Sequence, residues 1–199
     1  MAQRRIGVEP VQLVGQWDPA ICDAIVGSLS AALKAAAFIG SEIENLTTLP
    51  NGGERSNQSK GNVAADELCK AINGFSDQVA IAPVKGAGYP DRALILTKPD
   101  FKCCFEIKAT SDWNDGDGNR RVLTSSPLKL QKAIASGALP NPPCHLLGTV
   151  LYDKATGVAL DVRIDFLEPG SLINVRLEAS TSHSLLAKGT HRSVLLDTP

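Results

Sequence analysis

Asp91, Glu106 and Lys108 are the residues of this sequence whose types and spacing suit chemistry. They fall in the stretch GYPDRALILTKPDFKCCFEIK, Gly88 to Lys108. Two short apolar runs, Arg92 to Thr97 and Cys103 to Ala109, flank Lys98-Pro99-Asp100-Phe101, which reads as a tight turn. Side chains of a strand alternate faces, so Glu106 and Lys108 share one face while Phe105 and Ile107 take the other. With a four-residue turn around Pro99-Asp100, Thr97 is expected to pair with Lys102. That register sets Asp91 opposite Lys108 and Ala93 opposite Glu106, with Asp91, Glu106 and Lys108 on a common face. A slip of one residue would send Asp91 to the wrong side. Two carboxylates and an ammonium placed so suit a hard divalent cation. Magnesium takes oxygen ligands, keeps several waters and is bound by one or two carboxylates. Asp91 and Glu106 are the expected ligands, the Ile107 carbonyl is a further one, and Lys108 is placed to hold or polarise a water beside the metal. A metal-bound water attacking a phosphodiester, with metal stabilising the leaving oxygen, is metal-assisted hydrolysis. The plainer alternative is a surface hairpin carrying an Asp turn cap and a solvated Glu-Lys pair.

The elements that must position these residues can be read in order. Asp18-Pro19 opens a helix, with Asp as N-cap and Pro at the first helical position. Ile21, Ile25, Leu29, Leu33 and Ala37 continue it as an apolar ladder, and the pattern extends to about Leu46. Leu49 to Lys60 is rich in Gly, Asn and Ser and reads as a mobile connection. Asn62 to Asn73 is a second helix, stopped by Gly74, and Val79 to Val84 is a strand. Beyond the hairpin, Ala109 to Arg121 is a polar loop. Asn114, Asn119, Arg120 and Arg121 in it have the side chains that bond base edges bidentately. A third helix begins at Pro127 after a run of serines and closes at Ser136-Gly137. Its Lys129 and Lys132 are candidate phosphate contacts, or simply solvated lysines. After a rigid Pro-rich linker, Cys144 to Tyr152 and Val158 to Phe166 form another hairpin. Asp161, Arg163 and Asp165 are expected on its wet, charge-paired face. A strand at Ile173 to Leu177 and a basic tail with His183, Lys188, His191 and Arg192 complete the chain. Helices, then strands, a helix and more strands imply an α/β fold, a mixed β-sheet flanked by helices.

Composition sets limits. At 199 residues the chain fits a single domain, 1–199. The net charge of −1 gives no global basic signal, so binding to nucleic acid requires a local cationic cleft. Five cysteines without a Cys-x-x-Cys spacing, and three histidines that supply no framework with them, exclude a structural zinc site. The adjacent Cys103 and Cys104 read as small core residues, and the odd count fits a reducing, cytoplasmic setting. No apolar run is long enough to span a membrane.

Pro90-Asp91, followed after fourteen residues by Glu106-Ile107-Lys108, resembles the signature of the PD-(D/E)XK nuclease superfamily, to which most type II restriction endonucleases and the archaeal Holliday junction resolvases belong. The resemblance covers roughly Lys60 to Gly137. It implies a restriction-endonuclease-like catalytic core at about 60–137, with 1–48 and 144–199 as elaborations. It further implies a magnesium-dependent endonuclease acting on double-stranded DNA, using one or two Mg2+ ions and working as a homodimer. Asp91 and Glu106 would be the metal ligands and Lys108 would serve the attacking water. In that superfamily the helix before the hairpin commonly supplies another acidic ligand. Ala65 stands where it is expected; Glu67 is the choice here, with Asp66, Glu42 and Glu44 as rivals. A junction resolvase and a non-catalytic binding or assembly module are the alternative functions.

Overall fold

A computed structural model of the chain describes residues 14–43, 46, 48–85, 89–112, 121–122, 127–169, 172–178, 181–186 and 192–196. Helix α1 spans Pro19–Ala35, capped by Asp18, whose side chain accepts from the Ala20 N–H at 2.8 Å. It buries Cys22, Ile25, Leu29, Ala32 and Leu33 along one stripe. The helix stops well before Leu46. Ala37 takes a left-handed φ of 49° and the Phe38 N–H reaches back to the Leu33 carbonyl, ending the helix in a tight turn. The chain then folds onto the later strands through a bridge from Glu42 to Val158.

Helix α2, Asn57–Phe75, begins earlier than its apolar periodicity indicates, inside the Gly/Asn/Ser stretch. Ser56 is the reason: its side chain accepts from the Ser59 N–H and caps the helix there. Lys60, expected in a loop, is accordingly buried in the first turn and reaches Glu54 at 3.1 Å. Ala64, Leu68 and Ile72, spaced four apart, form the buried stripe.

Six strands form the central sheet in the order β1-β2-β3-β5-β6-β9: β1 Val79–Pro83, β2 Arg92–Leu96, β3 Phe101–Thr110, β5 His145–Tyr152, β6 Ala159–Leu167 and β9 Arg192–Leu196. Only β3 and β5 run parallel, so the sheet is mixed. A parallel neighbour needs a long crossover. The chain supplies it through β4, Arg121–Val122, and helix α3, Pro127–Ala135. Strand β4 joins β8, Thr181–Leu186, and β7, Leu172–Glu178, in a separate three-stranded sheet. The segment after Pro143 thus contributes half of the central sheet, and the described parts of the basic tail, Thr181–Leu186 and Arg192–Leu196, are strand. Arg192 ties the edge strand β9 to α1 by an ion pair to Asp23 at 2.6 Å.

One face of the sheet is the core. Phe105, Leu146 and Phe166 stand in a single row across β3, β5 and β6, all fully buried in a cluster with α1 and α2 residues. Trp17 packs edge-on to Phe166, with ring centroids 4.9 Å apart, and donates its indole N–H to the Leu167 carbonyl. Gly148 is needed here. A Cβ at that position would lie 2.9 Å from the Phe105 ring.

The opposite face is polar. Glu106, Leu147 and Asp165 form one row across it, and Lys108, Thr149 and Arg163 the next. Leu130 and Ala133 of α3 cover one end with Tyr89, Ala93 and Cys104. The expectation that Asp161, Arg163 and Asp165 make a solvated face is corrected. Asp165 is buried and the other two are half-buried, because the face is covered rather than open to water. Among the described residues, no helix is long and apolar enough to cross a membrane.

Candidate active site

The β2–β3 hairpin closes at Thr97-Lys98-Pro99-Asp100, and Leu96 pairs with Phe101. This is two residues out of the expected register, and long-range contacts explain it. The Thr97 hydroxyl lies within hydrogen-bond distance of the Asp77 and Gln78 carbonyls, which draws Thr97 out of the ladder. Phe101 is drawn in, with its ring 5.7 Å from that of Trp17. A two-residue shift conserves the alternation of faces. Arg92 pairs with Phe105, so one step further Asp91 stands opposite Glu106, not Lys108. The β1–β2 ladder also runs on to this point, the Val84 N–H donating to the Asp91 carbonyl at 3.2 Å.

Glu106 is the buried centre of the group, with a side chain only 5% exposed. Lys108 Nζ lies 2.6 Å from its Oε1, and the Asp91 N–H makes a long 3.4 Å hydrogen bond to its Oε2. Burial pushes the Glu106 carboxyl above its ordinary value. Lys108 opposes that shift and the Asp91 charge adds to it. The Ile107 carbonyl is directed by strand geometry. The Cys104 N–H donates to the Cys144 carbonyl, so even-numbered residues of β3 turn their backbone groups to β5 and odd-numbered ones to the β2 edge. Past Arg92, the position facing Ile107 on that edge belongs to Pro90, which has no N–H to give. Asp91, Glu106 and Ile107 are therefore the residues at the end of β2 whose oxygens a cation could use. The set is all hard oxygen, as magnesium prefers. Among the described residues, no group of three or more His, Cys, Asp and Glu is gathered for a metal, so a cation here would rest on two carboxylates, a carbonyl and water.

The described upstream carboxylates do not join them. Helix α2 lies on the apolar face, its Leu68 and Ile72 clustered with Phe105 and Ile107, whereas Glu106 and Lys108 point from the other face. Glu67 is paired with Lys70 at 2.6 Å and lines a shallow groove with Glu42, Phe38 and Phe75. Asp66 comes closer to the hairpin, but on the helix side, where it holds Arg92 at 2.9 Å. The choice of Glu67 as a fourth catalytic residue is corrected on this ground: a full sheet layer separates it from Glu106. Glu44 lies outside the described residues, as do Asn114, Asn119 and Arg120. Arg121 is in β4, opposite Leu185. Lys129 and Lys132 are both in α3, and Lys132 is exposed in its last turn.

Sequence reasoning missed the support behind Asp91. Tyr89 Oη and His145 Nδ1 share a 2.7 Å hydrogen bond, their rings stack with centroids 5.6 Å apart, and both residues are buried. Burial holds the Tyr89 phenol well above its usual value, so it stays neutral. The pair anchors the residue before Pro90-Asp91 to the start of β5. No local signal could have revealed it, since the partners lie 56 residues apart. Cys103 and Cys104 are buried, their thiols pushed up by desolvation, and behave as small core residues.

No protein-family model matches the chain. A search of curated proteins also finds no relative. The functional reading therefore rests on the site's own chemistry and on the short Pro90-Asp91/Glu106-Ile107-Lys108 motif.

Proposed function

We propose that this protein is a magnesium-dependent endonuclease of the PD-(D/E)XK kind that hydrolyses phosphodiester bonds in double-stranded DNA. A site-specific, homodimeric, cytoplasmic enzyme of the type II restriction class is the form proposed, since cutting both strands of a palindrome calls for two-fold symmetry. The observation that carries the reading is the meeting of Asp91, Glu106 and the Ile107 carbonyl edge at the end of β2, with the Lys108 ammonium against Glu106.

A bound magnesium ion supplies Lewis acidity at a phosphoryl oxygen and a water of lowered pKa. Asp91, Glu106 and Ile107 are the residues that would hold it. The burial and the Asp91 charge that raise the Glu106 pKa are both costs that a cation at this place relieves. Lys108 Nζ has three donors. One is held by Glu106 Oε1, which fixes the ammonium on this face, and the others serve to hold the attacking water and to offset charge building on the phosphate. Tyr89 and His145 anchor the residue before Pro90, which helps to set the Asp91 backbone against Glu106.

Asp91→Ala and Lys108→Ala test the reading. Cleavage of duplex DNA with magnesium should be lost in both while binding of the same DNA in chelator is retained. Cleavage at wild-type rates in either variant contradicts the assignment. Inertness of the wild type toward duplex DNA combined with cutting of branched DNA would move the function to junction resolution.

A further inference from the structure

We infer that the outer edge of β9 is the surface through which two copies of this chain pair, strand against strand, into one continuous antiparallel sheet. This gives the homodimer proposed above its surface and does not depend on the chemistry of the Asp91–Glu106–Lys108 group.

The two edges of the central sheet are built in opposite ways. Along β1 the Val84 N–H is turned to β2, so Val79, Ile81 and Pro83 present their backbone groups to the outside. That edge is sealed. The Ser76 hydroxyl accepts from the Val79 N–H at 3.1 Å. The Asn73 side chain accepts from the Ile81 N–H at 2.7 Å and donates to the Ile81 carbonyl at 2.9 Å, in the manner of a neighbouring strand. Pro83 has no N–H. Strand β9 shows no such closure among the described residues. The Cys104 N–H donates to the Cys144 carbonyl, so Leu147 and Thr149 of β5 turn their backbone groups from β3 to β6. They bond Asp165 and Arg163, which leaves Val162, Ile164 and Phe166 to bond β9 through Leu196, Val194 and Arg192. The N–H and carbonyl of Ser193 and Leu195 therefore point outward. Such an edge is a template for another strand, and proteins ordinarily blunt it with charge, proline or a covering segment. β9 has no proline, its one charge is held by Asp23, and Leu195 stands 44% exposed on it. The strand that fits is a second copy, because the edge matches itself. Antiparallel pairing about a two-fold axis at Val194 sets Ser193 of each copy opposite Leu195 of the other. Every outward N–H and carbonyl of those residues then finds a partner. Arg192 falls opposite Leu196 of the other copy, so no like charges face each other.

Sedimentation velocity of the full-length protein over a series of concentrations tests the pairing, with folding checked by a cooperative thermal melt. The wild type should be a dimer that dissociates on dilution. Leu195→Pro removes an outward N–H and leaves the bonds between β9 and β6 in place, and it should be monomeric throughout the series. Leu195→Lys leaves the backbone alone, sets a charge on each copy's edge, and should weaken the dimer about tenfold; it decides the matter if the proline variant does not fold. Val194→Cys places a thiol of each copy at the two-fold axis, at directly opposed positions about 4.5 Å apart between Cα atoms, within the reach of a disulfide. With oxidised glutathione it should form a covalent dimer that the wild type does not form. A wild type that is monomeric at every concentration overturns the edge pairing. So does wild-type dimerisation in a folded Leu195→Pro, or in Leu195→Lys where that variant decides, and so does a dimeric, folded Val194→Cys that does not cross-link. Magnesium-dependent cutting of duplex DNA by a monomeric wild type would overturn the edge pairing and leave the nuclease chemistry standing. A dimer with the expected variants that cuts no DNA would do the reverse.

Discussion

Two carboxylate–base pairs stand side by side on the polar face of this sheet. Glu106 and Lys108 are two residues apart on β3; Arg163 and Asp165 are two residues apart on β6. Leu147 and Thr149 of β5 lie between them, row for row. In each pair the carboxylate is almost wholly buried and the base partly exposed, at 2.6 and 3.1 Å. Their surroundings differ. Strand β2 ends just short of Glu106, so Asp91 faces it and the ladder leaves the Ile107 carbonyl opposite a proline. Asp165 has strands on both sides, β5 and β9. The same i, i+2 arrangement thus stands at an open edge, as the proposed reactive group, where the sheet stops, and as an internal clamp where it continues. A strand end, more than the residue types, separates the two.

Substitutions should separate the pairs in opposite ways. The largest effect is expected on turnover. Asp91→Asn and Lys108→Met should each lower magnesium-dependent cleavage by about a hundredfold or more. Arg163→Lys should cost far less in a single-turnover assay on the same DNA. Stability should reverse the order. Arg163→Ala removes the guanidinium that holds the buried Asp165 carboxylate, and should cost about 3–5 kcal/mol in urea unfolding. Lys108→Ala also strips a buried carboxylate, but Glu106 keeps the Asp91 N–H and can take up a proton as its raised pKa favours, so the cost should be smaller, about 1–2 kcal/mol. Equal losses for the two would remove the distinction between clamp and reactive group. Next comes the shared support beneath both pairs. Gly148→Ala sets a methyl group against the Phe105 ring and should destabilise by about 1–3 kcal/mol, visible as a lower urea midpoint.

The smallest effect is a pH dependence. The folded Glu106 carboxyl titrates above its ordinary value. Between the ordinary value and the raised one, the folded protein keeps a proton that the unfolded chain has released. Stability therefore falls as pH rises through that window. Glu106→Gln removes this loss, so at neutral pH it should melt slightly above wild type, and the difference should close as pH drops below the ordinary carboxylate value. A variant melting below wild type at neutral pH, with no trend toward acid, would mean that Lys108 more than repays the burial of Glu106.

Local chemistry made the hairpin legible. Pro99-Asp100 announces the turn, and strict alternation puts Glu106 and Lys108 on one face whatever the register. The register itself was not legible, because it depends on Thr97 meeting Asp77 and Gln78 and on Phe101 meeting Trp17, contacts made across the fold. The choice among the upstream carboxylates failed for a related reason. Helix periodicity shows that Asp66 and Glu67 lie off the apolar stripe, but not on which side of the sheet the helix packs. The α/β class and mixed sheet followed from element order. Strands β8 and β9 did not show, since Thr181–Leu186 and Arg192–Leu196 are short and mixed in polarity. The burial of Asp165 was likewise hidden: alternation marks two faces of a strand and says nothing of what covers the second.

Incubating the wild-type protein with long duplex DNA, in magnesium and in chelator, with Asp91→Ala beside it, tests the central claim most directly. Discrete fragments formed by the wild type only when magnesium is present, and absent with Asp91→Ala, are the predicted result. Duplex and branched DNA left intact by the wild type in magnesium, or fragments that persist in chelator or with Asp91→Ala, would contradict it.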